Sequence, residues 1–225
     1  MSSPPSPVAP REWALMFAVS VLLLGASLTR VWSISLTESL GFVSGGVCVW
    51  LVVREHLANW PVGLANNVVF GVLFWQSRLY ADMGLQVIYF GLGVWGWWRW
   101  LRGGPEQSRL TISRTTPSEW LALLILIPSV TWLLRTVLLA VNGAAPWGDA
   151  ITTALSLGAQ YLLCQKRLEN WFFWILADLI YIPLYLSRQL PLTALLYGVF
   201  LLMCVIGYRS WRTQWNRSLN SPSAS

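Results

Sequence analysis

Long apolar runs, broken by short polar clusters, set the pattern of this chain. The runs cover about 13–31, 36–53, 60–77, 81–99, 118–140, 147–165, 170–187 and 191–209. Each approaches the roughly 20 residues that an α-helix needs to cross a bilayer core. They are continuous rather than alternating, which argues against transmembrane strands. Pro61, Pro146 and Pro191 stand at run starts, where a missing N–H leaves no helical bond unmade. The links "SISL" and "SRLY" are short. The pattern therefore predicts an all-α integral membrane protein with eight transmembrane helices, seven being the competing count.

Composition sharpens this. The 225 residues are 56% hydrophobic and 11% charged, where a soluble domain has about 25% charged residues. The positive charges are also segregated. With eight spans, one side carries Arg11, Arg54, Arg99, Arg102, Arg109, Arg114, Lys166, Arg167, Arg209, Arg212 and Arg217, and the other carries Arg30, Arg78 and Arg188. Arg135 falls within the fifth run. Such asymmetry predicts that both termini are cytoplasmic. It also accounts for the net charge of +6 without a nucleic-acid partner. The Ser/Pro-rich start, 1–12, reads as a disordered cytoplasmic tail. The apolar run after it is too long for a signal-peptide core, so no cleaved signal is expected. Cys48, Cys164 and Cys204 lie inside runs without CxxC spacing, and the single His56 lies in a polar link. No metal, disulfide or cofactor is expected from them.

An internal repeat organises the runs. At an offset of 111 residues, Asn59-Trp60 falls on Asn170-Trp171, and Asn67 on Asp178. Phe70 falls on Tyr181, Phe74 on Tyr185, Gln86 on Tyr197, Gly96-Trp97 on Gly207-Tyr208 and Trp100 on Trp211. Helices 2–4 and 6–8 thus read as two copies of one three-helix unit. The copies lie an even number of spans apart, so they are parallel repeats, with helix 5 as the linker that restores orientation. Such layouts occur in secondary transporters, with the site between repeats near the midplane. The expected organisation is an extra N-terminal helix at 13–35, a first repeat at 36–102, a cytoplasmic loop and linker helix at 103–145, a second repeat at 146–212 and a cytoplasmic tail at 213–225. A duplication kept for folding alone is the alternative.

The polar residues inside these runs suggest the chemistry. On a helix, Trp171, Trp174, Asp178, Tyr181 and Tyr185 fall within an arc of about 80°. An Asp facing lipid at a helix centre costs about 2.5–3.5 kcal/mol, so Asp178 faces protein, water or substrate. The matching arc of helix 3 holds Trp60, Gly63, Asn67, Phe70 and Phe74, with Asn66 just off its edge. Helix 6 carries Asp149, Thr152, Thr153, Ser156 and Gln160 within about 100°. Gln160 and Gln86 need partners at both ends of their amides, from a neighbouring helix or from a substrate. Pro183 and Pro128 lie inside helices 7 and 5, as packing kinks or as hinges.

"NWPVGLANNVVFGVLFWQSRLYADMGLQVIYFGLGVWGWWRW" with the later "RLENWFFWILADLIYIPLY" resembles the PnuC family of bacterial vitamin transporters. The resemblance covers about 36–215. It is carried by Gly63 with Asn66, Leu79-Tyr80-Ala81, Leu85-Gln86, Gly96-Trp97 with Trp100, and Glu169-Asn170-Trp171 with Trp174. It implies a 3+1+3 arrangement like that of the SWEET sugar transporters, plus an N-terminal helix. It also implies a homotrimer in the bacterial inner membrane. Facilitated diffusion of nicotinamide riboside is implied too, with a cytosolic kinase trapping the vitamin for NAD biosynthesis.

The candidate substrate contacts are Trp171, Trp174, Asp178, Tyr181, Tyr185, Tyr197, Asn66, Asn67, Gln86 and Gln160. Aromatic faces suit a flat cationic ring, and amides and the carboxylate suit ribose hydroxyls. Nicotinamide riboside members are expected to carry an amide at position 178, where this chain has Asp. Thiamine, another flat cation, is therefore the alternative substrate. Nucleosides and riboflavin are less favoured because neither needs an anionic partner. The mechanism expected is alternating access of the two three-helix bundles, as a uniport. An enzyme would need a nucleophile–base or metal constellation that the chain does not show. A non-transporting scaffold, its polar stripes serving as interhelical glue, is the remaining rival.

Overall fold

The computed structural model describes residues 9–28, 36–76, 80–141, 145–187 and 191–220. Among them are eight α-helices: α1 (Pro10–Leu28), α2 (Leu36–Val53), α3 (Asn59–Gln76), α4 (Tyr80–Arg102), α5 (Pro117–Ala140), α6 (Pro146–Cys164), α7 (Asn170–Ser187) and α8 (Pro191–Asn220). They occupy the eight apolar runs. Three have segments that are individually long and apolar enough to cross a membrane: Pro117–Ala140, Asn170–Ser187 and Thr193–Asn220. Arg30, Arg78 and Arg188, Leu79, and most of the two short links lie outside the described residues, as do 1–8 and 221–225.

Two ends differ from the expected boundaries. Helix α1 begins at Pro10, inside the segment assigned to the tail. Helix α8 continues to Asn220, past the expected end of the second repeat. Polarity changes after Gly207, but no Gly or Pro follows before Ser221-Pro222, so nothing stops the helix where the apolar run ends. Helices α5 and α7 run unbroken through Pro128 and Pro183.

The chain divides into two compact units, Met1–Trp97 and Trp98–Ser225. In the first, α1 packs on α2 and α2 on α3. An Arg54–Glu12 ion pair ties the end of α2 to the start of α1. In the second, α5 packs on α6, α6 on α7 and α7 on α8.

The α2–α3 turn and the α6–α7 turn close with the same bonds. Glu55 N–H donates to Val52 O at 2.9 Å and His56 N–H to Leu51 O at 2.8 Å. At the same offset of 111, Lys166 N–H donates to Leu163 O at 2.9 Å and Arg167 N–H to Leu162 O at 2.8 Å. Each pair closes a helix C-terminus with a Schellman motif, which needs a left-handed residue. Glu55 and Lys166 supply it without glycine, at φ 53° and 55°. Asn59 Nδ2 then donates to His56 O at 2.8 Å, and Asn170 Nδ2 to Arg167 O at 2.6 Å. Trp60 and Trp171, the next residues, are both buried.

The linker before α5 is strapped to the α6–α7 turn. Ser113 N–H donates to Lys166 O at 3.2 Å, and Leu168 N–H donates to Ser113 O at 2.9 Å. Lys166 Nζ donates to Leu110 O at 3.0 Å and lies 4.7 Å from the Trp100 ring centre. Arg167 binds Glu119 at 3.0 Å, and Thr116 and Glu119 close a capping box at the start of α5. Glu169, 2% exposed, is the centre of the strap. It accepts from the Thr115 N–H and hydroxyl, each at 2.8 Å, and pairs with Arg114. Burial pushes the Glu169 carboxyl up, but the bonds from Thr115 and Arg114 outweigh it and hold the carboxyl below its ordinary value.

At this end of the second unit, Trp171 meets Trp211 edge to face at 5.4 Å, and Trp211 meets Trp100 at 5.9 Å. Trp100 Nε1 donates to Leu163 O at 2.9 Å. Gly207 makes the close approach possible, since a Cβ there would lie 2.4 Å from the Trp171 ring. Gly207→Ala is expected to destabilise the protein by about 1–3 kcal/mol through overpacking. A lowered melting temperature of the purified variant checks this, and an unchanged one would mean that the indole moves freely.

Candidate functional site

Helical periodicity puts Asp178, Tyr181 and Tyr185 on one face of α7. On α8, Tyr197 and Cys204 stand seven residues apart and also share a face. The two faces meet. Tyr181 and Tyr185 stack at 5.7 Å between ring centres, with 22° between planes. Tyr197 lies 4.6 Å from Tyr181 and 5.1 Å from Tyr185. Phe200 closes the group, edge to face on Tyr197 at 5.7 Å. The Tyr185 and Tyr197 side chains also interact through a hydrogen bond.

Asp178 is 5% exposed, and Cys204 Sγ donates to its Oδ2 at 3.7 Å. No ion pair among the described residues involves Asp178. Helix α6 supplies a third wall. Thr152 and Ser156 are buried, and their side chains bond to Tyr181. Thr152 Oγ1 also returns a bond to Gly148 O at 2.8 Å. The result is a carboxylate, three phenols, two small hydroxyls and a thiol between α6, α7 and α8. Stacked phenols present flat faces, their hydroxyls offer hydrogen bonds, and the carboxylate attracts a cation.

The other candidates are placed less centrally. Trp174 and Gln160 are half-buried in the same unit. Trp171 is closed off among Trp211 and Gly207, about 10 Å along the helix from Asp178. In the first unit, Asn66 Oδ1 accepts from Ser44 Oγ on α2 at 2.8 Å. Asn67 and Gln86 are half-buried, and Gln86 passes beside Gly71 of α3. Cys204 is the contact that sequence reasoning missed. Cysteine spacing along a chain speaks to metal and disulfide chemistry alone. The seven-residue spacing from Tyr197 carried the signal.

Apolar helices around a buried polar and aromatic cluster mark a multi-pass membrane protein, and comparison with known proteins gives its class. The nicotinamide mononucleotide transporter family matches residues 35–213. The chain belongs to that family, which includes the PnuC proteins. It is a family of transporters, so the protein is not an enzyme.

The nicotinamide riboside transporter PnuC of Escherichia coli is 25% identical over 206 residues, covering 80% of this chain and 86% of that one. The riboflavin/roseoflavin transporter RibM of Streptomyces davaonensis is 25% identical over 193 residues, covering 84% and 86%. A crystal structure of the vitamin B3 transporter PnuC shares the fold, with a TM-score of 0.66 and 22% identity over 93% of this chain and 99% of that one. RibM brings riboflavin, which the sequence reading disfavoured, among the substrates of relatives.

Proposed function

We propose that this protein imports nicotinamide riboside by facilitated diffusion. Asp178 among Tyr181, Tyr185 and Tyr197 carries the reading. Nicotinamide riboside joins a flat cationic ring to a ribose. The ring suits the phenol faces and the buried carboxylate, and the ribose suits the surrounding hydroxyls and amides. Trp174 and Gln160 extend the contact set in the second unit, and Trp171, packed on Trp211 and Gly207, closes the helix end beyond it. Asn66, Asn67 and Gln86 are its members in the first unit. Transport proceeds by alternating access of two three-helix bundles in a 3+1+3 arrangement of eight spanning helices. The setting is the bacterial inner membrane, with both termini cytoplasmic, a homotrimeric assembly, and a cytosolic kinase that traps the vitamin.

Two other substrates are kept. RibM's similarity favours riboflavin. The carboxylate at 178 equally favours thiamine, also a flat cation. Uptake by proteoliposomes holding the purified chain separates the three. Saturable nicotinamide riboside uptake, not competed by riboflavin or thiamine, is expected. Uptake of riboflavin or thiamine alone would replace the substrate, and no uptake of any would restore the scaffold reading.

A further inference from the structure

A second aromatic and charged cluster lies away from Asp178, where α5 ends and α6 begins. Arg135 stands five residues before the end of α5, about 8 Å along the helix. Its guanidinium carbon lies 4.5 Å from the centre of the Trp147 ring on α6 and 5.2 Å from that of Trp132 on α5. The two indoles meet edge to face at 6.2 Å, so they hold the cation between them. Both are open on their outer sides, Trp132 being 60% exposed and Trp147 55%. No ion pair among the described residues involves Arg135, and its Nε has no hydrogen-bond partner.

Burying an arginine near the end of an apolar helix without an anion is costly, and the long side chain answers by reaching toward the headgroup layer. Tryptophans anchor at that same layer. Leu133, Val137 and Leu139 beside the cluster are exposed, a surface that suits acyl chains. The anion that this layer offers is the phosphate of a lipid. We propose that Arg135, Trp132 and Trp147 bind the headgroup phosphate of a phospholipid, with its acyl chains along α5. The two indoles beside it pre-orient the guanidinium, so its donors face the phosphate with little further loss of freedom. The site is separate from the transported molecule, since a fixed cation repels a cationic substrate.

The test is thermal unfolding of the purified full chain in detergent, titrated with dioleoylphosphatidylglycerol, dioleoylglycerol or inorganic phosphate. Phosphatidylglycerol is expected to raise the melting temperature by on the order of 5 °C. Dioleoylglycerol and inorganic phosphate should each give little shift. Arg135→Gln should lose most of the phosphatidylglycerol shift and Arg135→Lys should keep part. Trp147→Leu, which removes one stacking face and leaves the charge, should reduce it. Equal shifts with the two lipids, or an undiminished shift in both Arg135→Gln and Trp147→Leu, would overturn the proposal. So would an equal shift with inorganic phosphate, which would mark a soluble-anion site. Loss of self-association in Arg135→Gln without any lipid dependence would instead mark a contact between copies and would also overturn it.

Discussion

Asp178→Asn is expected to weaken nicotinamide riboside binding by about 10-fold: the charge-assisted contact that this chain's carboxylate makes is lost, while the amide, as expected in nicotinamide riboside members, still bonds the ribose hydroxyls. Asp178 is 5% exposed, takes only a weak thiol bond from Cys204 at 3.7 Å, and joins no ion pair among the described residues. A carboxylate in that setting has lost water without gaining a cation. A bound pyridinium restores the missing partner, and the asparagine does not. The substitution removes a desolvated charge and keeps the shape, so the melting temperature should hold or rise. Calorimetric titration of wild type and variant checks this, with unfolding as the control. Unchanged affinity with an intact fold would remove Asp178 from the site. If riboflavin proves to be the substrate, the same change should leave its binding nearly untouched, because riboflavin brings no positive charge.

Glu169→Ala should lower stability by roughly 3 kcal/mol, since it strands the buried Thr115 N–H and hydroxyl and releases Arg114. The half-exposed Arg114 can return to water, which limits the loss. Glu169→Gln, which keeps the shape and one acceptor, should cost about half as much. The pH dependence has a definite sign. The folded carboxyl is held below its ordinary value of 4.5, so the folded state binds its proton more weakly than the unfolded state does. Its contribution is whole above 4.5 and disappears as pH falls from there through the lower folded value. Wild type should therefore lose stability on acidification more steeply than Glu169→Gln. Parallel curves for the two proteins would show that the strap does not depend on this charge.

Much of this was legible along the chain. The apolar runs fix where helices form, because a segment without water must bond its own backbone. The Asn59-Trp60 and Asn170-Trp171 correspondence identified two matching turns, and their backbones prove to bond alike. Asp178, Tyr181 and Tyr185 were readable as one face because helical period alone sets it. The boundaries at Pro10 and Asn220 were less legible, since hydropathy marks where lipid ends and not where a helix does.

Periodicity could not say which faces meet. Trp171 and Asp178 share an arc, yet Gly207 draws Trp171 into a packed tryptophan cluster, while Tyr197 joins the phenols near Asp178. Cys204 became a partner of that acid only once α8 lay against α7. Glu169 read as part of a motif, but its partners are 54 and 55 residues away in a linker with no helical pattern. Arg135 falls within the fifth run, and its second indole arrives from another helix. The sequence by itself determined the helices, their polar faces and the repeated turn, which follow from local bonding and the absence of water. The tertiary structure decided the partners of each buried charge, because these depend on which helices pack together and on how closely glycine lets them approach.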